Sequence, residues 1–140
     1  MIKRITLATA ATALLLCGSA FASDAITERQ AGFDGLKKSM GELRGLVGSD
    51  LAATAAVANR MAEFGAKIPT LFPAGSDQGK TDALPAIWSN VDDFNARAKA
   101  FEEASLKLAA AATSGDAAAS GDAMKAIGGT CKACHDKYRK

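Results

Sequence analysis

Cys131-Lys132-Ala133-Cys134-His135, close to the C-terminus, is the stretch on which the reading of this chain turns. Two cysteines three apart, followed at once by a histidine, form the covalent attachment pattern of a c-type haem. The thiols add to the porphyrin vinyl groups as thioethers, and the adjacent imidazole supplies an axial ligand to iron. On a helix Cys131 and Cys134 project from one side, and His135 lies one turn beyond Cys131. The sequence contains a single histidine, the one inside the motif, so a second histidine ligand is excluded. Every other group that touches the cofactor is expected from upstream. One haem per chain follows, with Cys131 and Cys134 as covalent anchors and His135 on the iron.

A Cys-x-x-Cys pair can also be a redox dithiol or a small-loop disulfide. The neighbouring histidine and the lack of a thioredoxin-like βαβ pattern weigh against both. The third cysteine, Cys17, belongs to a different segment. Lys3 and Arg4 precede a short apolar stretch from Ile5 to Leu16, and Ala20-Phe21-Ala22 offers small residues where a signal peptidase reads. Residues 1–22 are therefore expected to be a signal peptide cleaved after Ala22, leaving one domain over 23–140. The apolar stretch is too short for a comfortable membrane span. Leu16 stands where a lipoprotein signal wants a small residue before its cysteine, which disfavours lipid anchoring at Cys17. Export to the periplasm agrees with haem attachment, which in bacteria takes place outside the inner membrane.

Seventeen basic residues face fifteen acidic ones. Losing Lys3 and Arg4 with the signal brings the remainder to balance. Neither a nucleic-acid footprint nor a polybasic membrane surface is present, so no nucleic-acid or membrane partner is expected.

Outward from the motif, apolar residues recur at steps of three and four. Ile26, Phe33, Leu36, Met40, Leu43 and Val47 form one stripe, after a cap at Ser23 or Asp24. Ser49 can cap a second helix with Leu51, Thr54, Ala58, Met61, Gly65 and Ile68 inward, ended by Pro69. A loop from Pro69 to Asp82 holds Pro73, Gly75 and Gly79. The third helix is expected from about Asp82, with Pro85 in its first turn. Leu84, Ile87, Trp88, Val91, Phe94, Ala98, Phe101, Ser105 and Leu108 trace its inward stripe. After Gly115, a last helix runs from about Asp116 to Tyr138 with Met124, Ile127, Cys131, Cys134 and Tyr138 in register. Gly121, Gly128 and Gly129 weaken it by about 1 kcal/mol each relative to alanine. The fold class is all-α: an antiparallel, left-handed four-helix bundle around a covalently bound haem.

Such a chain resembles the class II cytochromes c, and within them cytochrome c′. The resemblance spans the domain after the signal. It rests on Arg29-Gln30, the loop before Pro85, Ile87-Trp88-Ser89 with Phe94, the Gly115-Asp116 turn, and the run from Cys131 to Arg139. It implies that Arg29 and Gln30 meet the haem propionates and that Arg139 lies beside the proximal histidine. Low-spin relatives carry an iron-ligating methionine one turn beyond the Arg-Gln pair; here that position is Phe33. A phenylalanine there crowds the distal face and offers iron no lone pair. The expectation is a five-coordinate, high-spin haem that binds NO and CO and discriminates against O₂. The alternative is a low-spin electron carrier with a methionine, Met40, Met61 or Met124, as sixth ligand. Phe72 and Trp88 are expected to pack near the haem. A homodimer through the first two helices, and a periplasmic electron donor or acceptor, complete the expected partners.

Overall fold

The computed structural model describes residues 14–140, with side chains from Ala22 onward. Lys3, Arg4 and most of the expected signal stretch lie outside the described residues. Helix α1 covers Leu14–Leu46 and α2 covers Leu51–Lys67. A 3₁₀ turn, Ile68–Leu71, follows. The short α3 is Ala86–Ser89, and the long α4 and α5 are Val91–Thr113 and Ala117–Tyr138.

Four boundaries differ from the sequence expectation, the first being the start of the third helix, which lies at Ala86 with Pro85 as its N-cap and not near Asp82. Helix α1 passes through Ser23, whose carbonyl accepts the Thr27 hydroxyl at 3.0 Å, so neither Ser23 nor Asp24 starts the helix in the full chain. The cap of α2 is Asp50, not Ser49. Asp50 has an extended backbone and its carboxylate accepts Ala53 N–H at 2.9 Å, while the Ser49 hydroxyl turns back to Gly45 O at 2.7 Å. The expected third helix is two helices, because Asn90 leaves the helical region at φ −134°, ψ 51°. Its backbone N–H and its side-chain amide both donate to Ala86 O, and its carbonyl starts α4 by accepting Phe94 N–H. The break resets the helical phase. Val91, expected inward, is 50% exposed, whereas Phe94, Ala98, Phe101, Ser105 and Leu108 are buried as expected.

Asp116 caps α5, accepting Ala119 N–H at 2.8 Å, after a reversal at Gly115 with φ +81° that only glycine adopts freely. The helix continues unbroken through Gly121, Gly128 and Gly129. Short turns at 47–50 and 114–116 make α1 and α2, and α4 and α5, antiparallel neighbours.

Leu43, Met61, Leu108 and Ile127, one from each long helix, are fully buried at the centre. Each such side chain contributes roughly 1.5–3 kcal/mol by leaving water. Helices α2 and α4 approach closely at Gly65, where a Cβ would stand 3.0 Å from Phe101 Cδ1 and 3.1 Å from Glu102 Cα. The α4–α5 interface is comparably extensive, and α1 lies against α2 and the 3₁₀ turn. Helices α1 and α5 meet at most marginally. Phe33, Leu36 and Met40 on α1, and Met124, Cys131 and Cys134 on α5, therefore pack on the core yet stay only partly buried. Among the described residues, no helix is long and apolar enough to cross a membrane.

Candidate haem site

The motif occupies the last turns of α5. Cys131 and Cys134 are free and half-buried. Burial is the main reason both thiols are pushed up from their ordinary value, with Arg97 opposing the rise at Cys134. His135 is exposed beside them. Partial desolvation, then the Arg139 cation, push its imidazole down, against a smaller pull from Asp136. That direction favours the neutral imidazole, the form that can coordinate a metal.

The end of α5 is tied on two sides. From α4, Arg97 Nη1 donates to Ala133 O at 2.8 Å, Lys137 Nζ donates to Asp93 Oδ2 at 3.0 Å, and the Tyr138 hydroxyl donates to the same carboxylate oxygen. From the segment before α3, Leu84 N–H donates to Tyr138 O at 3.0 Å, and Lys140 N–H donates to Asp82 O at 2.9 Å. Arg139 is exposed and paired with Asp82 at 3.6 Å, with its charge within reach of His135. Asp93 and Arg97 were missed in the sequence; their i,i+4 spacing is the signal that marks a helix pair, but nothing in it names the target on the motif.

Arg29 is the least expected member. It is 2% exposed, and its guanidinium is directed at the loop after the 3₁₀ turn. Nη1 donates to Ser76 Oγ at 2.9 Å; Nη2 donates to Ser76 O at 2.7 Å and Thr81 Oγ1 at 2.8 Å. The cation also lies 4.7 Å from the Phe72 ring centroid. Burial pushes its pKa down, and Asp77 opposes this at longer range. Gln30 Nε2 donates to Lys80 O at 2.8 Å. The adjacent pair thus holds the 71–81 loop against α1. Ser76 and Thr81, its partners, carry no sequence signal beyond being small polar loop residues.

Phe33 sits edge-on to Phe64, centroids 5.4 Å apart, and to Phe72 at 6.4 Å. Phe72 continues to Phe94 at 4.8 Å and to Trp88 at 6.0 Å, and Phe94 meets Tyr138 at 5.3 Å. The rings run from α1 across the loop and α4 to the residue three beyond His135. The Trp88 indole N–H is satisfied by Phe72 O and Pro73 O, both at 3.1 Å. Of the methionines, Met61 is 1% exposed inside the core, while Met40 and Met124 are partly buried.

These residues fit a flat, apolar, covalently held group. Two half-buried thiols share one face of α5, a histidine follows them, and apolar side chains of α1 and α5 rest on the core only partly covered. A Cβ at Gly121, Gly128 or Gly129 would meet nothing within 4 Å, so the α5 backbone can be approached closely there. Among the described residues no three His, Cys, Asp or Glu side chains gather as a metal cage.

Fold and site together define a four-helix-bundle cytochrome of the c type. The model of the cytochrome c′ family matches residues 24–139, and the chain belongs to that family, whose cofactor is one covalently attached c-type haem. Cytochrome c′ of Pararhodospirillum photometricum is 41% identical over 90 residues, 64% of this chain and 72% of the relative. A cytochrome c′ structure described for an unusual ligand-controlled dimer dissociation superimposes with TM-score 0.78 at 30% identity, covering 84% of this chain and 95% of that one. The nitric oxide complex of a mutant cytochrome c prime from Alcaligenes xylosoxidans gives TM-score 0.77 at 32% identity, covering 85% and 96%.

Proposed function

We propose that this chain is a periplasmic gas-binding haem protein with His135 as the only protein ligand to a five-coordinate iron. NO and CO are its ligands, and one-electron exchange with a periplasmic partner is a second capacity. The observation that carries this reading is Phe33. It stands on the partly buried face of α1 with its ring packed on Phe64 and Phe72, and it has no atom that can coordinate iron.

The methionine alternative is less well supported. Met61 is sealed in the core, Met40 lies two turns beyond Phe33, and Met124 shares α5 with His135 and is poorly placed for the opposite face. When bound, the haem supplies a metal site for a diatomic ligand and a one-electron couple. The chain's own residues set access to it. Cys131 and Cys134 anchor it, and Phe33, Phe72 and Trp88 exclude water. No hydrogen-bond donor is contributed by Phe33, so polar O₂ gains little stabilisation there. NO binds ferrous iron strongly without such help, in keeping with the nitric oxide complex of the Alcaligenes relative. Arg29 and Gln30 hold the loop at the propionate side, and Arg139 stands at the proximal side.

Export fits residues 1–22 as a cleaved signal and 23–140 as the cytochrome domain. A homodimer through α1 and α2 is supported by the small residues there, with Gly32, Gly35 and Ser39 lining a shallow groove beside Leu36 and Phe64. The dimer named for the related structure supports it. Replacing the ring at Phe33 tests the distal assignment: Phe33→Ala is expected to speed CO association with the ferrous protein and to admit larger ligands. Unchanged association kinetics would remove Phe33 from the distal face.

A further inference from the structure

The turn of α5 that carries His135 is gripped at both ends by one pair of residues on α4. Upstream, Arg97 Nη1 donates to Ala133 O at 2.8 Å, a carbonyl inside the haem motif. Downstream, Asp93 accepts from Lys137 and from the Tyr138 hydroxyl. The two grips are joined, because Arg97 Nε donates to Asp93 Oδ2 at 2.8 Å and Nη2 faces Oδ1 at 3.4 Å. His135 lies between the grips, and its imidazole makes no hydrogen bond among the described residues. Its placement is thus left to the backbone of the turn.

We propose that the Asp93–Arg97 pair positions His135, holding the Ala133–Tyr138 turn so that the imidazole keeps a fixed stance relative to Cys131 and Cys134. The inference rests on His135 being the axial ligand. A single exposed ion pair has little effect on stability. Here, however, one carboxylate gathers three donors, and the same guanidinium also binds a motif carbonyl, so the groups act as a network. The planar fork of arginine reaches carboxylate and carbonyl at once, which a lysine ammonium cannot do in the same geometry. Other ion pairs of α5, Lys125–Asp122 and Lys132–Asp136, lie within the helix and tie it to nothing else. Partners beyond the metal ligand commonly fix the orientation of ligating histidines; Asp93 and Arg97 do so through the main chain.

The test uses the haem-loaded protein with Arg97→Ala, Arg97→Lys and, as control, Lys99→Ala, which removes an exposed α4 pair with Glu102. Amide exchange and the iron–histidine stretching band of the ferrous protein are measured. Arg97→Ala is expected to speed exchange of the amides between Cys134 and Tyr138 about tenfold and to shift or broaden the band. Arg97→Lys, keeping the charge but not the fork, is expected to recover only part of each; Lys99→Ala changes neither. Unchanged exchange and band in Arg97→Ala overturn the proposal. Should that variant fail to fold, Tyr138→Phe, which removes one hydroxyl from Asp93, is expected to move both readouts the same way by less, and no movement is again decisive against it. Lack of an iron–histidine band in the unaltered protein would overturn the five-coordinate reading of the iron, and exchange of the Cys134–Tyr138 amides in Arg97→Ala then decides the proposal alone.

Discussion

Asp93 accepts hydrogen bonds from Arg97, Lys137 and the Tyr138 hydroxyl. Its spacing from Arg97 marks a helix pair, but only the fold brings Tyr138 and Lys137 to it. Hydrogen bonds from Arg97, Tyr138 and Lys137, in that order, hold its carboxyl well below the ordinary 3.8. A carboxylate whose pKa is depressed by folding contributes stability that is present above its unfolded value and lost as pH falls through the folded one. Thermal unfolding followed by circular dichroism should therefore show wild type losing stability below about pH 4, with a shallower acid limb in Asp93→Asn. Identical acid limbs would show that the three donors are not engaged in solution. Arg29 illustrates the converse. Its place on the first helix was legible beside Gln30, but its burial against Ser76 and Thr81 was not, since the loop that receives it has no periodicity.

At the scale of elements, the apolar stripe of the second long helix matched burial closely, while in the last helix Met124, Cys131 and Cys134 of the expected stripe stay half-buried. Thr54, Ala58, Met61, Gly65 and Ile68 are buried, as are Ile127 and Tyr138. Boundaries were less legible because side chains near a helix end compete for the same backbone groups. Asp50 displaced Ser49, and Asn90 split the third helix by satisfying Ala86 O itself. Asp116 was readable as the start of the last helix because Gly115 precedes it. Asp116→Ala is expected to lower stability by about 1 kcal/mol, measured by chemical denaturation, with no change in ligand binding. Gly65→Ala should cost more, about 1–3 kcal/mol, because its Cβ would press on the Glu102 backbone and α2 and α4 would have to part. Equal stability of Gly65→Ala and wild type would mean the two helices are looser than their packing implies.

For the whole molecule, the decisive feature is the asymmetry of the bundle. Helices α2, α4 and α5 pack extensively in sequence around the core, whereas α1 and α5 barely meet and their apolar residues, the motif cysteines among them, stay partly uncovered. Sequence periodicity gave the inward face of each helix, but could not say which pair of helices would stay apart; that depends on side-chain volumes summed over several elements. A covalent haem fits these half-buried apolar side chains and the two thiols together. Cys131→Ser with Cys134→Ser is expected to abolish the mass gain of one haem seen by denaturing mass spectrometry in the exported protein. Retention of that mass would place the attachment elsewhere.

We propose one histidine-ligated iron with no protein ligand on its other side, where Phe33 stands. It is tested most directly by the visible spectrum of the ferrous protein before and after CO and NO. A high-spin spectrum that both gases change is the predicted result. Sharply split α and β bands that CO leaves unmoved would contradict it.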